Sequence, residues 1–399
     1  MNIIFLTLSV ITDINSRGIY TDLMRKFQKE GHNIYIVSPR ERKLNKPTSY
    51  IKKGNTNILG VRTLNIQKTN FIEKGIGTLL IEAQYKHAIT HYFKNIKFDL
   101  ILYSTPPITF TNVIKYLKRK NINAISYLLL KDIFPQNAVD LNIFSKRSPI
   151  YHFFRHKEKQ LYRVSDYIGC MSPANVNFVI KNNSYISKDK IEVNPNSIEL
   201  SSCSEETNRS LIRKKYSLPT NIPILIYGGN LGKPQGIDFL IEVLKSNINN
   251  SDRFFLIVGT GTEFNRVKVW FESEMPSNAR LMNGLSKIEY DKLVKSCDIG
   301  LIFLDHRFSI PNYPSRLLSY LENKMPILAA TDKNTDIGKI AEENDFGFWA
   351  ESNNIVEFNE LIHKFIHSDY KQMGENGYKF LLDNYLVDNS YNIIVKHLN

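Results

Sequence analysis

The sequence predicts an α/β protein built as two parallel-sheet domains. Apolar strand-type runs alternate with amphipathic helical stretches in two separate series, and the polar stretch 200–209 divides them. A length of 399 residues suits two domains of the usual ~100–200 residues each.

The first series opens with the apolar run 2–8, a buried strand. A turn holding Ser16, Arg17 and Gly18 leads into an amphipathic helix at 20–30. Gly31 stops that helix, and 33–38 is the next strand. Buried strand, helix and buried strand at this spacing form a βαβ unit. A strand follows at 58–64 and a long helical stretch at 71–92, with Gly75 and Gly77 weakening its first turns. Strand 100–103, the turn Ser104-Thr105-Pro106-Pro107, a helix to about Lys120 and strand 122–130 continue the pattern. Strands at 167–170 and 191–193 complete it.

The second series begins with strand 223–227, a glycine-rich turn at 228–236 and helix 237–246. Strand 254–258 ends in the turn 259–263, and helix 264–272 and strand 279–282 follow. A short helix at 287–296, strand 299–304, a loop to Pro314, helix 315–323 and strand 326–330 come next. A terminal helix is expected near 378–398. The domain cores are placed at 1–200 and 205–375.

Composition narrows the function classes. Hydrophobic residues make up 42% and charged residues 23% of the chain, enough for full cores. No stretch approaches the ~20 apolar residues that cross a bilayer. The opening apolar run lacks the features of a secretory signal, so a cytoplasmic protein is expected. Cys170, Cys203 and Cys297 are far apart and have no metal-ligand spacing; no metal and no disulfide are expected. The net charge of +13 is uneven: residues 1–200 carry +16 and residues 201–399 carry −3. Such a field favours an anionic partner on the first half, whether nucleic acid, anionic lipid or a pyrophosphate-linked substrate. A Lys-, Asn- and Ile-rich genomic composition gives the same excess.

Three turns could carry chemistry. Tyr227-Gly228-Gly229-Asn230-Leu231-Gly232-Lys233-Pro234-Gln235-Gly236 follows a strand and precedes a helix. Glycines there let backbone approach a phosphate, the helix end offers free N–H groups, and Lys233 adds a charge. It is neither a P-loop nor a GxGxxG fingerprint, and a plain tight turn fits the same residues. In Asn312-Tyr313-Pro314-Ser315-Arg316, Pro314 and Ser315 suit a helix start, with Ser315 as cap. Arg316 in the first turn opposes the helix dipole, which makes sense if an anion sits there; a solvent-facing Arg is the alternative. Val258-Gly259-Thr260-Gly261-Thr262-Glu263 is a third strand end, where ligands of open α/β sheets bind. Alone, it reads as a strand-to-helix turn.

Taken together, the motifs resemble glycosyltransferase family 4, in its bacterial surface-polysaccharide branch that includes fucosamine transferases. The matching pieces are Arg17-Gly18-Ile19-Tyr20, Lys131-Asp132-Ile133-Phe134-Pro135-Gln136, Asn194-Pro195-Asn196, Gly229-Asn230-Leu231-Gly232, Val258-Gly259-Thr260-Gly261, Tyr313-Pro314-Ser315-Arg316 and Met373-Gly374-Glu375-Asn376-Gly377. Each is weak alone, and their shared order is specific.

The resemblance implies a GT-B fold, two Rossmann-like domains facing across a cleft, with 376–399 crossing back to the first domain. It also implies a nucleotide-sugar donor, UDP-linked, and metal-free transfer with retained anomeric configuration. The catalytic candidates are Asp132, Lys233 and Arg316. The donor-binding candidates are Gly229, Asn230, Gly232, Gly261, Glu263, Asn283, Leu285, Ser315 and Ser319, and Arg17 and Gly18 are placed on the acceptor side. No cofactor is implied beyond the donor.

Several positions depart from the family pattern. The family's Arg after the first glycine of the phosphate turn and its Lys before the following glycine fall at Asn230 and Gln235. Its paired glutamates fall at Pro311 and Ser319, which puts the ribose contact in doubt; Glu322, one helical turn on, is a possible substitute or a surface residue. The basic first half is read as the acceptor side, taking a polyprenyl-diphosphate-linked saccharide. Stretch 71–97, with Lys74, Lys86, Lys94 and Lys97, is either an interfacial helix on an anionic membrane surface or an ordinary core-facing helix. A peripheral place at the inner face of the cell membrane follows from the first reading. Two competing classes are a sugar-nucleotide epimerase of the same fold and a basic nucleic-acid-binding protein; no nucleic-acid module is recognisable.

Overall fold

In the computed structural model, residues 1–66, 71–201 and 208–398 are described. They divide into two compact units, Met1–Glu199 with Leu386–Asn399, and Leu200–Tyr385. Residues 202–207, with Cys203 and most of the expected linker, lie outside the described residues.

The first unit is built on an eight-stranded sheet. Its elements run β1 (Asn2–Leu6), α1 (Ile19–Lys29), β2 (Asn33–Glu41), β3 (Ser49–Lys53), β4 (Thr56–Thr63), α2 (Phe71–Tyr92) and β5 (Leu100–Ser104). They continue α3 (Thr111–Lys120), β6 (Ile125–Leu130), α4 (Gln136–Asp140), α5 (Pro149–Val164), β7 (Tyr167–Cys170), α6 (Pro173–Asn182) and β8 (Ile191–Val193). The sheet order is β3-β4-β2-β1-β5-β6-β7-β8, parallel throughout except for the β3–β4 hairpin. Strands β1, β5 and β6 are buried along nearly their whole length, as a parallel sheet covered on both faces requires.

Two sequence expectations change here, and of the two readings of stretch 71–97 the core-facing one fits the buried stripe. Ile122 does not start β6: it is 87% exposed, and the turn closed by Ala124 N–H on the Asn121 carbonyl delays the strand. Helices α5 and α6, absent from the sequence reading, each begin with Ser-Pro. Ser148 and Ser172 accept the N–H of Tyr151 and Asn175, and the proline fills the first helical position. In α2, Ile81, Tyr85, Ala88 and Ile89 recur at helical spacing and are buried in the core, so this stripe is core-facing.

The second unit runs α7 (Arg209–Lys215), β9 (Ile224–Asn230), α8 (Ile237–Ser246), β10 (Phe254–Thr260), α9 (Phe264–Glu274), β11 (Ala279–Asn283), α10 (Lys287–Val294) and β12 (Ile299–Phe303). It continues α11 (Arg316–Glu322), β13 (Ile327–Thr331), α12 (Ile337–Glu343), β14 (Gly347–Glu351), α13 (Ile355–Ile366) and α14 (Tyr370–Asn384). Its six strands are all parallel in the order β11-β10-β9-β12-β13-β14. This is the doubly wound arrangement, and the strand order reverses between β9 and β12. β9 does not stop at Tyr227. Gly228, Gly229 and Asn230 keep pairing with Val258, Gly259 and Thr260, because glycine on both strands allows the close approach.

The single terminal helix is in fact two. Leu386 is extended and bridges to Ile198, which breaks the helical path between α14 and α15 (Val387–Val395). Residues 376–385 therefore stay with the second unit. A Cβ on Gly374 would lie 2.0 Å from the Lys324 carbonyl oxygen, so α14 is packed directly on the α11–β13 connection. α15 belongs to the first unit, where the Ser390 hydroxyl donates to Asn194 Oδ1 at 2.7 Å and Tyr391 meets His32 at 3.0 Å.

Candidate functional site

In the second unit the physics of a doubly wound sheet points to the carboxyl ends of β9 and β12, where the chain leaves in opposite directions. The segment after β9 turns tightly. Gly229 has φ +129°, Gly232 leads a short 3₁₀ turn at Lys233–Gln235, and Gly236, at φ +56°, starts α8 without a side-chain cap. A Cβ on Gly236 would meet the Leu304 carbonyl at 2.9 Å, so the α8 entrance sits directly against the end of β12. Lys233 is exposed on this turn and has no ion pair among the described residues.

Arg316 comes to the same corner from the first position of α11. Its guanidinium carbon lies 4.3 Å from the centre of the Tyr227 ring, and Nη2 donates to Gln235 Oε1 at 2.6 Å. Nη1 is buried and has no hydrogen-bond partner, and Arg316 has no ion pair among the described residues. One turn further along the same helix face, the Ser319 hydroxyl is also buried without a partner. The guanidinium is thus held by a ring and a neutral amide, with one donor left over. An unmade bond from a buried charged group costs on the order of 1–3 kcal/mol or more, so such groups are rarely left open without a reason.

Two further tyrosines pack around this corner. A Cβ on Gly228 would sit 1.7 Å from the Tyr290 hydroxyl, and Gly228 N–H donates to the Tyr320 hydroxyl at 3.2 Å. Ser315 is exposed and its side chain does not cap α11, contrary to the sequence expectation; its own backbone is already helical, out of the extended shape a capping hydroxyl needs. Glu322 accepts the Ser201 N–H at 2.9 Å.

The neighbouring turns have a structural reason for their glycines. A Cβ on Gly261 would lie 2.1 Å from the Leu231 carbonyl, and Glu263 N–H donates to that same oxygen at 2.9 Å. The Glu263 carboxylate lies 3.6 Å from Arg266. Asn283, paired in register with Gly259, closes β11, and Asn230, Asn283 and Gly261 are exposed at the strand ends while Leu285 is half-buried.

Behind the corner, Asp332 supports the loop that leads to α11. Its Oδ1 accepts the N–H groups of Asn334 and Thr335 at 2.8 and 2.9 Å, and Oδ2 accepts the Thr335 hydroxyl at 2.8 Å. Thr335 Oγ1 then accepts the Asn312 N–H at 3.0 Å, and the Asn334 amide donates to the Phe308 carbonyl. Burial pushes the Asp332 carboxyl up to about 6 against these bonds.

In the first unit the order reverses between β1 and β5. Thr105, just after β5, accepts the N–H groups of Lys131 and Asp132 at 2.9 and 3.1 Å and so fixes the loop after β6. Asp132 Oδ1 accepts from the Asn137 amide at 2.9 Å, so its carboxylate helps order its own turn. Lys131 points inward, donating to the Asn194 carbonyl at 3.0 Å, and burial lowers its ammonium to about 7. Gly18 at the α1 entrance donates its N–H to buried Asp22 at 3.0 Å; Asp22 also pairs with Arg25, which reaches the Ile14 and Ser16 carbonyls and Glu199. Arg17 lies on the loop that this network secures.

Thus Gly229, Gly232, Lys233, Arg316 and Ser319 converge at the β9/β12 corner. Gly261, Glu263, Asn283 and Leu285 line the adjoining strand ends, and Arg17, Gly18 and Asp132 belong to the first unit. Sequence reasoning missed Tyr290, Tyr320 and Asp332, and named Tyr227 only as the first residue of the glycine-rich turn. Asp332-Lys333-Asn334-Thr335 carries a readable signal, an Asp followed by turn-forming polar residues. The tyrosines carry none, because core and site aromatics look alike in sequence. Among the described residues there is no group of three or more His, Cys, Asp or Glu placed to hold a metal.

Comparison with known proteins defines the class of architecture first. The chain has the GT-B fold, two parallel-sheet Rossmann-like units. The E. coli trehalose-6-phosphate protein solved with UDP-2-fluoro glucose matches at a TM-score of 0.74, with 10% identity, over 100% of this chain and 99% of that one. WaaG, a glycosyltransferase involved in lipopolysaccharide biosynthesis, matches at 0.66 with 13% identity over 98% and 99%. The family likeness is narrower and lies in the second unit: residues 208–380 match the family of glycosyl transferases group 1. The probable glycosyltransferase WbjE of Pseudomonas aeruginosa is 22% identical over 264 residues, which is 65% of this chain. The match spans 64% of that relative's own length, under two thirds.

Proposed function

We propose that the chain is a glycosyltransferase that moves a sugar, with retained anomeric configuration, from a UDP-sugar to a polyprenyl-diphosphate-linked saccharide. The product would be a growing capsule, O-antigen or exopolysaccharide. The observation that carries the donor half of this reading is the pair of open, buried donors, Arg316 Nη1 and Ser319 Oγ, at the β9/β12 corner.

In this reading the donor diphosphate lies against the backbone of Gly229, Asn230 and Gly232 and the uncapped start of α8. The bond between the sugar's anomeric carbon and the diphosphate oxygen breaks, and the negative charge that develops on that oxygen is met by Arg316 and Lys233. The acceptor hydroxyl gives its oxygen to the new glycosidic bond and its proton is released. Ser319 serves the ribose or the phosphate, taking the place left by the family's second glutamate. Glu263, Gly261, Asn283 and Leu285 face the base, and Ser315 the diphosphate. Asp132 stands near the transferred sugar, with Arg17 and Gly18 on the acceptor side. Among the described residues no helix is long and apolar enough to cross a membrane. The charge of +16 on residues 1–200 supports peripheral attachment to an anionic membrane surface, where a lipid-linked acceptor resides.

The test is UDP release across a panel of donors with and without lipid-linked acceptors. Acceptor-dependent release supports transfer. Conversion of the donor in the absence of any acceptor supports the epimerase instead. Unchanged turnover in both Arg316→Ala and Lys233→Ala removes the site assignment.

A further inference from the structure

The basic first half leaves open which surface meets the membrane. Helix α2 is a poor choice along most of its length, since its apolar stripe Ile81, Tyr85, Ala88 and Ile89 packs into the core. A different place stands out. Between α4 and the second turn of α5, Ile143, Ile150 and Phe153 are 52%, 47% and 43% exposed within eleven residues. They are held outward by a firm base. Asn142, at φ +57°, turns the chain, Ile143 N–H bonds the Ala138 carbonyl, and Phe144 and Phe154 pack against Phe134 beneath. The protrusion is thus fixed by the fold.

The exposed charge of the ridge itself is basic: Arg155 is taken up by buried Glu158, and Asp140, at the end of α4, accepts the Gln136 amide, which leaves Lys146, Arg147 and Lys157. Lys146 and Arg147 are exposed on the loop, and the Lys157 ammonium sits 5.7 Å from the Phe153 ring. Apolar tips ringed by cations fit the interface of an anionic bilayer. The apolar groups enter the acyl boundary and the ammonium and guanidinium groups meet headgroup phosphates.

We propose that this ridge, Ile143 to Phe153, is the surface by which the protein docks on an anionic lipid bilayer. The proposal rests on the peripheral-membrane part of the reading above and adds where that contact is made.

The experiment is flotation of the full chain with neutral phosphatidylcholine vesicles and with vesicles containing phosphatidylglycerol, at low and high salt. Wild type is expected to float with the anionic vesicles at low salt and to be released at high salt. Each cation near the surface contributes about fivefold, so Lys146→Glu/Arg147→Glu should weaken partitioning by at least 25-fold, about five times five. Ile150→Glu/Phe153→Glu should weaken it by more than about tenfold. Leu79→Glu/Leu80→Glu, at two exposed positions in the third turn of α2, should float like wild type. UDP-induced thermal shifts of all variants should equal that of wild type, which establishes that they are folded.

If wild type does not float at all, the membrane reading fails and this inference fails with it. If wild type floats and the ridge variants float equally well, or only the α2 variant is lost, this inference alone is overturned. A wild-type dimer in sedimentation that Ile150→Glu/Phe153→Glu converts to monomer would also overturn it, because the ridge would then be a contact between copies.

Discussion

Replacing Arg316 by Met should separate stability from binding. Met keeps an unbranched apolar stem over Tyr227 and removes the charge and its donors. In the unliganded protein the substitution loses a cation–π contact at 4.3 Å, worth about 1–2 kcal/mol when desolvated, and a charged hydrogen bond to Gln235, about 1.5–3 kcal/mol. It also removes the open, buried Nη1 donor, whose cost is about 1–3 kcal/mol or more, and the cost of burying the charge itself. These terms oppose one another, so the stability of the unliganded variant should stay within ~1 kcal/mol of wild type. Binding has no such compensation. Loss of one or two charge-assisted bonds to a phosphate removes about 3 kcal/mol, or two orders of magnitude in Kd. The assays are urea unfolding without ligand and calorimetric titration with UDP at low and high salt. A variant that is several kcal/mol less stable yet binds UDP as wild type does would refute the reasoning. Arg316 would then be a structural brace and its open donor a detail of packing.

Three further outcomes follow from other residues. Asp332 keeps its proton in the folded protein up to about 6 and loses it near 4 when unfolded, so stability should fall as pH rises from about 4 to about 6 and level off above. Asp332→Asn should flatten that slope in urea midpoints taken across this range. Lys131 titrates near 7 when folded and near 10.5 when unfolded, so its contribution should make wild type more stable as pH rises from about 7 towards 10. Lys131→Met should lack this rise and should gain most over wild type at pH 6, read by thermal unfolding. Gly228→Ala puts a methyl group into the Tyr290 hydroxyl and should cost about 1–3 kcal/mol. Tyr290→Phe in the same chain should recover part of that loss.

The fold was legible where local chemistry and tertiary packing agree. The strands β1, β5, β9, β10 and β12 are short and each is centred on a continuous apolar stretch, and a parallel strand covered on both faces buries such a stretch whole. Elements whose local signal is mixed were missed. β14 is Gly-Phe-Trp-Ala-Glu, with partly exposed residues at a sheet edge, and α5 opens on an exposed apolar face that looks nothing like a soluble helix. The site was legible as glycines and cations near strand ends and no further. Sequence separates Gly261 from Gly229 poorly, because each comes just after an apolar run. The fold distinguishes them: a Cβ on Gly261 collides with the Leu231 carbonyl, whereas Gly229 has φ +129° and faces the Arg316 guanidinium, 3.6 Å from where its Cβ would be.

The departures from the family pattern at Asn230 and Gln235 now have a physical reading. Relative to the pattern this chain resembles, Asn230 and Gln235 stand where two cations would be, and a diphosphate site without replacement for them would bind weakly. Gln235 does not replace the charge, but its amide oxygen fixes Arg316 at 2.6 Å, and that guanidinium arrives from the opposite wall of the same corner. A neutral hydrogen-bond acceptor suits this role better than a lysine would, since a second cation at 235 would repel the first. The position that looked like a loss in sequence is a consequence of where the positive charge enters. This reading is specific: Gln235→Glu should neutralise Arg316 through a carboxylate and weaken UDP binding, whereas Gln235→Lys should regain affinity only when Arg316 is removed. If Gln235→Lys binds UDP more tightly with Arg316 still in place, the two positions are not alternatives and Arg316 does not stand in for the missing loop cations.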